Sequence, residues 1–320
     1  MATDNSDQSS TSVAEIATNG NVILVVGPHQ RRIQVCSSVL KNASKYFNAM
    51  FGPHFSEGQD LRGDSPKEIS MPDDDANALE ILCNILHLRN DVVPETLDPI
   101  KAFEIAVTAD KFDCIVAVKY ASMLWLSPKE VQGIIELGYL MAAAYILDNA
   151  RAFSEITLAM ILRHKDCYLP LADKDVGLVD IVPWKVFYFL EERRNQMRTK
   201  LQKILLDGAS DAGTDDHCNC SCGWSSQHGF AYMKLLQKEE LGPLQTLSTT
   251  ISGVLEKLEN MNDPTIPRGW VPCSYRWHGD PGYRRRRKSR LDDFKKGNGL
   301  CIDCVRSSTT AAKQICRTKH

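Results

Sequence analysis

No stretch of this chain stays apolar for the roughly 20 residues that a membrane-spanning helix requires. The best candidate, residues 134–147, contains Glu136 and is too short, so it reads as a buried helix. The first 20 residues have almost no apolar content, no basic n-region and no apolar h-region, so no secretory leader is expected. Their Ser-, Thr-, Asp- and Asn-rich composition predicts disorder, because little apolar surface offsets the ordering entropy. A large excess of charge of either sign is missing too. The formal net charge is -2, which says little about partners. No phosphate-binding loop, paired carboxylates or activated nucleophile stands out. Cys36, Cys83 and Cys114 sit in apolar patterns without an evident His partner and read as core thiols. The expectation is a non-enzymatic, intracellular chain, in the nucleus, the cytoplasm or both, with no membrane partner.

What is present can still build a core. The chain has 320 residues, enough for roughly two domains, and 43% of them are hydrophobic. Of its 11 cysteines, Cys218 and those after it crowd the carboxyl third. In an intracellular chain these are core thiols or metal ligands rather than disulfides.

Residues 21–127 are the stretch around which the rest is arranged. Val22–Val26 is a continuous apolar run bounded by turn residues, which suits a strand buried on both faces. Gly27 and Pro28 supply a turn, and Ile33 and Val35 return at period two, so the pair predicts a β-hairpin. Ser37 and Ser44 each precede a helical pattern and can cap it. Tyr46, Phe47, Met50 and Phe51 form an apolar face at helical spacing. A third strand ends at Met71, and helical patterns run from Ala76 to about Leu126. A short sheet with helices after it is an α+β module.

The order of these pieces resembles the BTB/POZ domain. The matching residues are Gly27 after the opening strand, Val35 and Cys36 ending the second strand, the run from Ser37 to Leu40, Ser44 with Phe47, Met50 with Phe51, Phe55 with Glu57, and the run from Glu68 through Met71 to Asp73. Ala106 to Phe112 is similar to the Ala-Asp helix of that family. Cys36 departs from it, since many members carry His there. The resemblance implies protein–protein interaction: such domains form homo- or hetero-oligomers, and many serve as adaptors for cullin-3 ubiquitin ligases. The family's hydrophobic-x-Glu cullin contact falls on Phe55 and Glu57. The plainer reading is that Phe55 caps its own domain core and Glu57 is solvated.

Residues 128–207 read as a helical extension, similar to the one that comes after BTB domains in a fungal-type group. Ser127, Pro128 and Glu130 predict a helix start. His164 and Cys167 read as helix-end residues rather than metal ligands. Residues 208–320 read as an irregular, Cys-rich region holding two helices, 230–240 and 243–260. Its last segment pairs Cys301-x-x-Cys304 with Cys316-x-x-x-His320. Two thiolates two residues apart plus a Cys and a His suit one tetrahedral Zn(II). A full four-ligand set leaves no open position for water, so such a zinc is structural. Cys218, Cys220 and Cys222, with Cys273 or His228, offer a second or shared site.

The basic run Arg284, Arg285, Arg286, Arg287, Lys288 and Arg290 has three readings: a nuclear-import address, a patch for nucleic-acid phosphates or an acidic partner, or a solvated loop. Two functions stay open. One is an interaction adaptor, including a cullin-3 substrate adaptor. The other is a nuclear transcriptional or chromatin regulator that oligomerises through its first domain. A nucleic-acid partner is not needed for the first.

Overall fold

The computed structural model describes residues 12–59, 61, 63, 65–173, 176–210, 224–265, 282–297, 299–307 and 316–318. The protein is α+β, and it divides into two compact units. One is Met1–Val131 with Glu136–Ala152; the other is Gln132–Ile135 with Phe153–His320.

The first unit carries a mixed sheet in the order β1-β3-β2-β4. β2 (Val22–Val26) pairs antiparallel with β3 (Arg31–Val35), Val22 opposite Val35. Gly27 turns this hairpin at a φ of 70°, a left-handed value that glycine adopts without steric cost. β4 (Lys67–Met71) runs parallel to β2, and β1 (Ala14–Glu15) runs parallel to β3. Against the disorder expected for the first 20 residues, Ala14 and Glu15 pair at an open sheet edge. β2 is also not buried on both faces. Val22, Leu24 and Val26 are fully buried, while Ile23 and Val25 are half-buried. The alternation is that of a sheet packed on one face.

Helices α1 (Ser37–Ala43) and α2 (Lys45–Met50) come next, then α3 (Ala76–Leu86), α4 (Pro99–Lys111) and α5 (Lys119–Trp125). Ser44 caps α2: its Oγ accepts from the Phe47 N–H at 3.1 Å and donates to the Phe112 carbonyl at 2.5 Å. Ser37 caps nothing. The position before α1 is Cys36, whose side chain makes no capping bond, and the Ser37 N–H donates to Asn21 Oδ1. Asp75 and Asp98 cap α3 and α4 through their carboxylates. Phe47 stacks on Phe112 and Phe51, with ring centroids 4.9 and 5.8 Å away. α6 begins at Ile134 (Ile134–Ile146), not at the expected Ser127 start. Gly133 disfavours helix at that junction and offsets the cap and proline before it.

The second unit contains α7 (Ala150–Arg163) from Phe153 onward and the 26-residue α8 (Lys185–Ser210), which runs past the expected linker start at Gly208. The region expected to be irregular with two helices holds five among the described residues. They are α9 (Trp224–Lys238), α10 (Pro243–Ser248), α11 (Ile251–Asn260), α12 (Tyr283–Lys295) and α13 (Ile302–Arg306). The single helix expected over 243–260 is broken at Thr249, and Thr250 starts α11 by accepting from the Gly253 N–H at 3.1 Å.

Two buried arginines organise this unit. Arg194, 4% exposed, donates to the His164 and Asp166 carbonyls just past α7. It also pairs with Glu191 at 2.5 Å and lies over the Tyr168 ring. Arg287, also 4% exposed, donates from Nε to the Leu258 carbonyl at 3.0 Å and from Nη2 to the Met261 carbonyl. Both satisfy carbonyls that a helix end leaves without partners. The chain then returns to α7, where the Leu300 N–H donates to buried Thr157 Oγ1 at 2.8 Å. Gly299 comes so close to α7 that a Cβ there would lie 2.1 Å from the Ser154 carbonyl.

Candidate functional site

The carboxyl-terminal thiols are built onto this anchored return. Leu300, Ile302 and Val305 are buried and seat the single-turn α13. Cys301 is the residue before that helix and is 7% exposed; Cys304 lies on its outward side. Cys316 comes back to the same place. The bidentate contact between the Arg317 guanidinium and Asp303 holds it there, with Nη2 to Oδ1 at 2.6 Å, while the Arg317 N–H donates to Asp303 Oδ2 at 2.9 Å. The arginine bonds keep the Asp303 carboxyl below its usual range.

Cys301, Cys304 and Cys316 present three sulfurs within 4.8 Å of one another. The Cys304 and Cys316 sulfurs are 3.6 Å apart. A disulfide needs about 2.05 Å. Tetrahedral zinc with bonds of about 2.3 Å places neighbouring sulfurs about 3.8 Å apart. The spacing thus fits a shared metal better than a bond. Burial pushes the Cys304 thiol up to about 12, and its neighbours Cys316 and Cys301 add to the shift. Crowded thiols oppose one another's ionisation, and a bound dication reverses that balance.

Three of the four expected ligands therefore meet. His320, the fourth, lies outside the described residues, as do Cys218, Cys220, Cys222 and Cys273. His164 and Cys167 do not form a ligand pair, because His164 Nε2 sits 3.1 Å from the Cys167 carbonyl oxygen.

The other expected site is the loop after α2. Phe55 is 52% exposed and starts a 3-10 turn, Ser56–Gly58. It does not cap the core; Phe47 and Phe51 fill that place at 0% and 2% exposure. Ser56 Oγ donates to Glu57 Oε2 at 2.9 Å. The Glu57 backbone N–H and then this hydroxyl hold the carboxylate below its usual pKa. Lys67 Nζ donates to the Ser56 and Gln59 carbonyls and pins the turn to β4. The loop thus displays an aromatic ring and an ionised carboxylate on a fixed backbone.

The basic run is helical, not a loop. Its inward positions are Tyr283, Arg287 and Leu291. Arg284 reaches Asn262 Oδ1 at 3.2 Å, and Arg290 pairs with Asp207 at 2.9 Å. Only Arg285 and Lys288 of the run remain fully outward without either tie, and Arg286 is half-buried. The buried Arg287 interrupts the outward face of the run. Sequence reasoning missed the roles of Arg194, Arg287 and Thr157. Arg194 and Arg287 each lie in a run of charged residues, so no local signal singles them out.

Among the described residues no helix is long and apolar enough to cross a membrane. No family model matches the chain, and neither curated proteins nor solved structures yield a match.

Proposed function

We propose that this chain is a non-enzymatic protein-interaction adaptor that contacts cullin-3 through the Phe55–Glu57 loop of a BTB/POZ-like first unit. The order of hairpin, paired helices, exposed loop, parallel strand and helices in that unit supports the reading. The half-exposed Phe55 beside an ionised Glu57 carries it. An aromatic ring held out of the core fills a partner pocket, while the carboxylate orients a donor. Self-association through the same unit makes the adaptor multivalent. In the second unit a structural zinc on Cys301, Cys304 and Cys316, with His320 as fourth ligand, closes the tail onto α13. It supplies rigidity and no chemistry.

The test is affinity purification of the tagged chain from its native cells. Cullin-3 accompanies the wild type and is depleted from Phe55→Ala and Glu57→Ala. Equal recovery, or none in any sample, ends the proposal. The alternative nuclear-regulator reading leaned on the basic run. Because Arg287 is structural, its proper probe is Arg285→Ala/Lys288→Ala with nuclear fraction as readout. An unchanged fraction removes that support.

A further inference from the structure

We propose that Cys304 and Cys316 form an oxidation site: hydrogen peroxide joins them in a disulfide, and the tail then discharges its metal. The inference rests on the zinc reading above and adds the chemistry that undoes it. Three thiols meet here, so three pairs are open, and accessibility chooses among them. Cys301 is 7% exposed and lies between buried Leu300 and Ile302. Cys304 is exposed and Cys316 is half-buried, so a small dissolved oxidant reaches these two first. Their sulfurs are 3.6 Å apart, and a closure of about 1.5 Å completes a bond of about 2.05 Å.

Asp303 and Arg317 keep the pair together. Asp303 is the chain neighbour of Cys304, and Arg317 is the chain neighbour of Cys316. The Arg317 guanidinium meets Asp303 Oδ1 at 2.6 Å, and the Arg317 N–H donates to Oδ2 at 2.9 Å. The two cysteines are 12 residues apart in sequence, yet this contact joins them with no help from a metal. The clamp has already closed the loop, so most of the entropy of bringing the thiols together is met before they react. Their effective concentration for each other is correspondingly high.

Bound zinc keeps the sulfurs as thiolates, the form that attacks peroxide. The Cys304 thiolate attacks one oxygen of hydrogen peroxide, the O–O bond breaks, and hydroxide leaves. The Cys316 thiolate attacks the resulting sulfenic acid, the S–S bond forms, and a second hydroxide leaves. Two solvent protons convert both hydroxides to water. The two sulfurs together lose two electrons and the peroxide gains them. A disulfide offers no thiolate to the ion, so only Cys301 and His320 remain of the ligand set. Structural zinc takes four ligands, and the ion leaves.

Hydrogen peroxide added to the purified full chain tests this. A chromogenic chelator measures released zinc, and mass spectrometry without reduction maps the cysteines. About one zinc leaves as a Cys304–Cys316 disulfide forms, and dithiothreitol with added zinc restores the starting state. Cys167→Ser removes an exposed thiol elsewhere in the second unit and leaves the release unchanged. Arg317→Gln keeps all three thiols and the circular dichroism of the parent. With zinc chelated away from both chains, it forms the disulfide roughly tenfold more slowly than the parent. A chain that purifies without zinc overturns the zinc reading and this inference together. Zinc that is present at the start and retained under peroxide overturns this inference alone. So does release with a disulfide to Cys301 or with none, release that depends on Cys167, or an Arg317→Gln chain that oxidises as fast as the parent.

Discussion

Replacing Arg287 with methionine isolates what a buried charge contributes to the second unit. Methionine keeps an unbranched stem and a high helix propensity, so α12 itself is little disturbed. The substitution removes the pair of bonds to the Leu258 and Met261 carbonyls. Hydrogen bonds from charged donors contribute about 1.5–3 kcal/mol each. The gross loss is therefore roughly 3–6 kcal/mol, part of which is returned because a guanidinium no longer has to be desolvated. The net destabilisation is about 2–4 kcal/mol. The same change at exposed Arg285 stays within about 0.5 kcal/mol, as for surface sites generally. Urea unfolding monitored by far-UV circular dichroism measures both. If the two variants lose equally little, Arg287 is not what joins α12 to α11, and the reasoning fails.

Gly299→Ala forces a Cβ against the backbone of α7, and no side chain can swing away to relieve it. A cost of about 1–3 kcal/mol lowers the thermal midpoint, whereas an unchanged midpoint means the close approach is absent. Ser44→Ala removes the cap of α2 and one of two donors to the Phe112 carbonyl, the other being the Cys114 thiol, for a loss of about 1–2 kcal/mol read from the urea midpoint. His87 introduces a pH dependence. Its Nε2 accepts from the Cys36 N–H at 3.0 Å while Nδ1 faces the Cys83 carbonyl at 2.8 Å, and burial lowers its pKa. The fold thus disfavours the imidazolium. This stability is present above the ordinary histidine value of about 6.5 and is lost as pH falls below it. His87→Gln, compared with wild type between about pH 7.5 and 5, should flatten that part of the profile; parallel curves would count against it. Metal analysis of the purified chain should find about one zinc, reduced in Cys301→Ser and Cys304→Ser. A zinc content indifferent to these changes would move the metal elsewhere.

Much of the first unit could be read in advance because each local signal agreed with the next. Period-two apolar residues around Gly27 specify the hairpin, and Ser44 with Phe47 specifies a capped apolar helix. The tail thiols were legible for a different reason. Metal chemistry needs ligands at fixed spacing, so Cys301, Cys304 and Cys316 pointed to one another with no fold in hand. α12 was illegible because its buried stripe of Tyr283, Arg287 and Leu291 places a charged residue where an apolar one marks a helix. Only the carbonyls at the end of α11 explain that choice, and they are distant in sequence. The start of α6 was misplaced because the Ser127 and Pro128 signal competes with Gly133. A cap can be recognised locally, but helix propagation behind it depends on the residues of the next turn.

The central claim is that the Phe55–Glu57 loop is a docking element and not a piece of the first unit's own core. Titrating purified cullin-3 into the purified chain by calorimetry tests it without cellular intermediaries. The account predicts saturable binding that weakens by roughly 2 kcal/mol or more, as for an interface hot spot, in Phe55→Ala. Exposed Leu88→Ala should leave it unchanged. Absence of binding by the wild type, or the same affinity in Phe55→Ala, would contradict the claim.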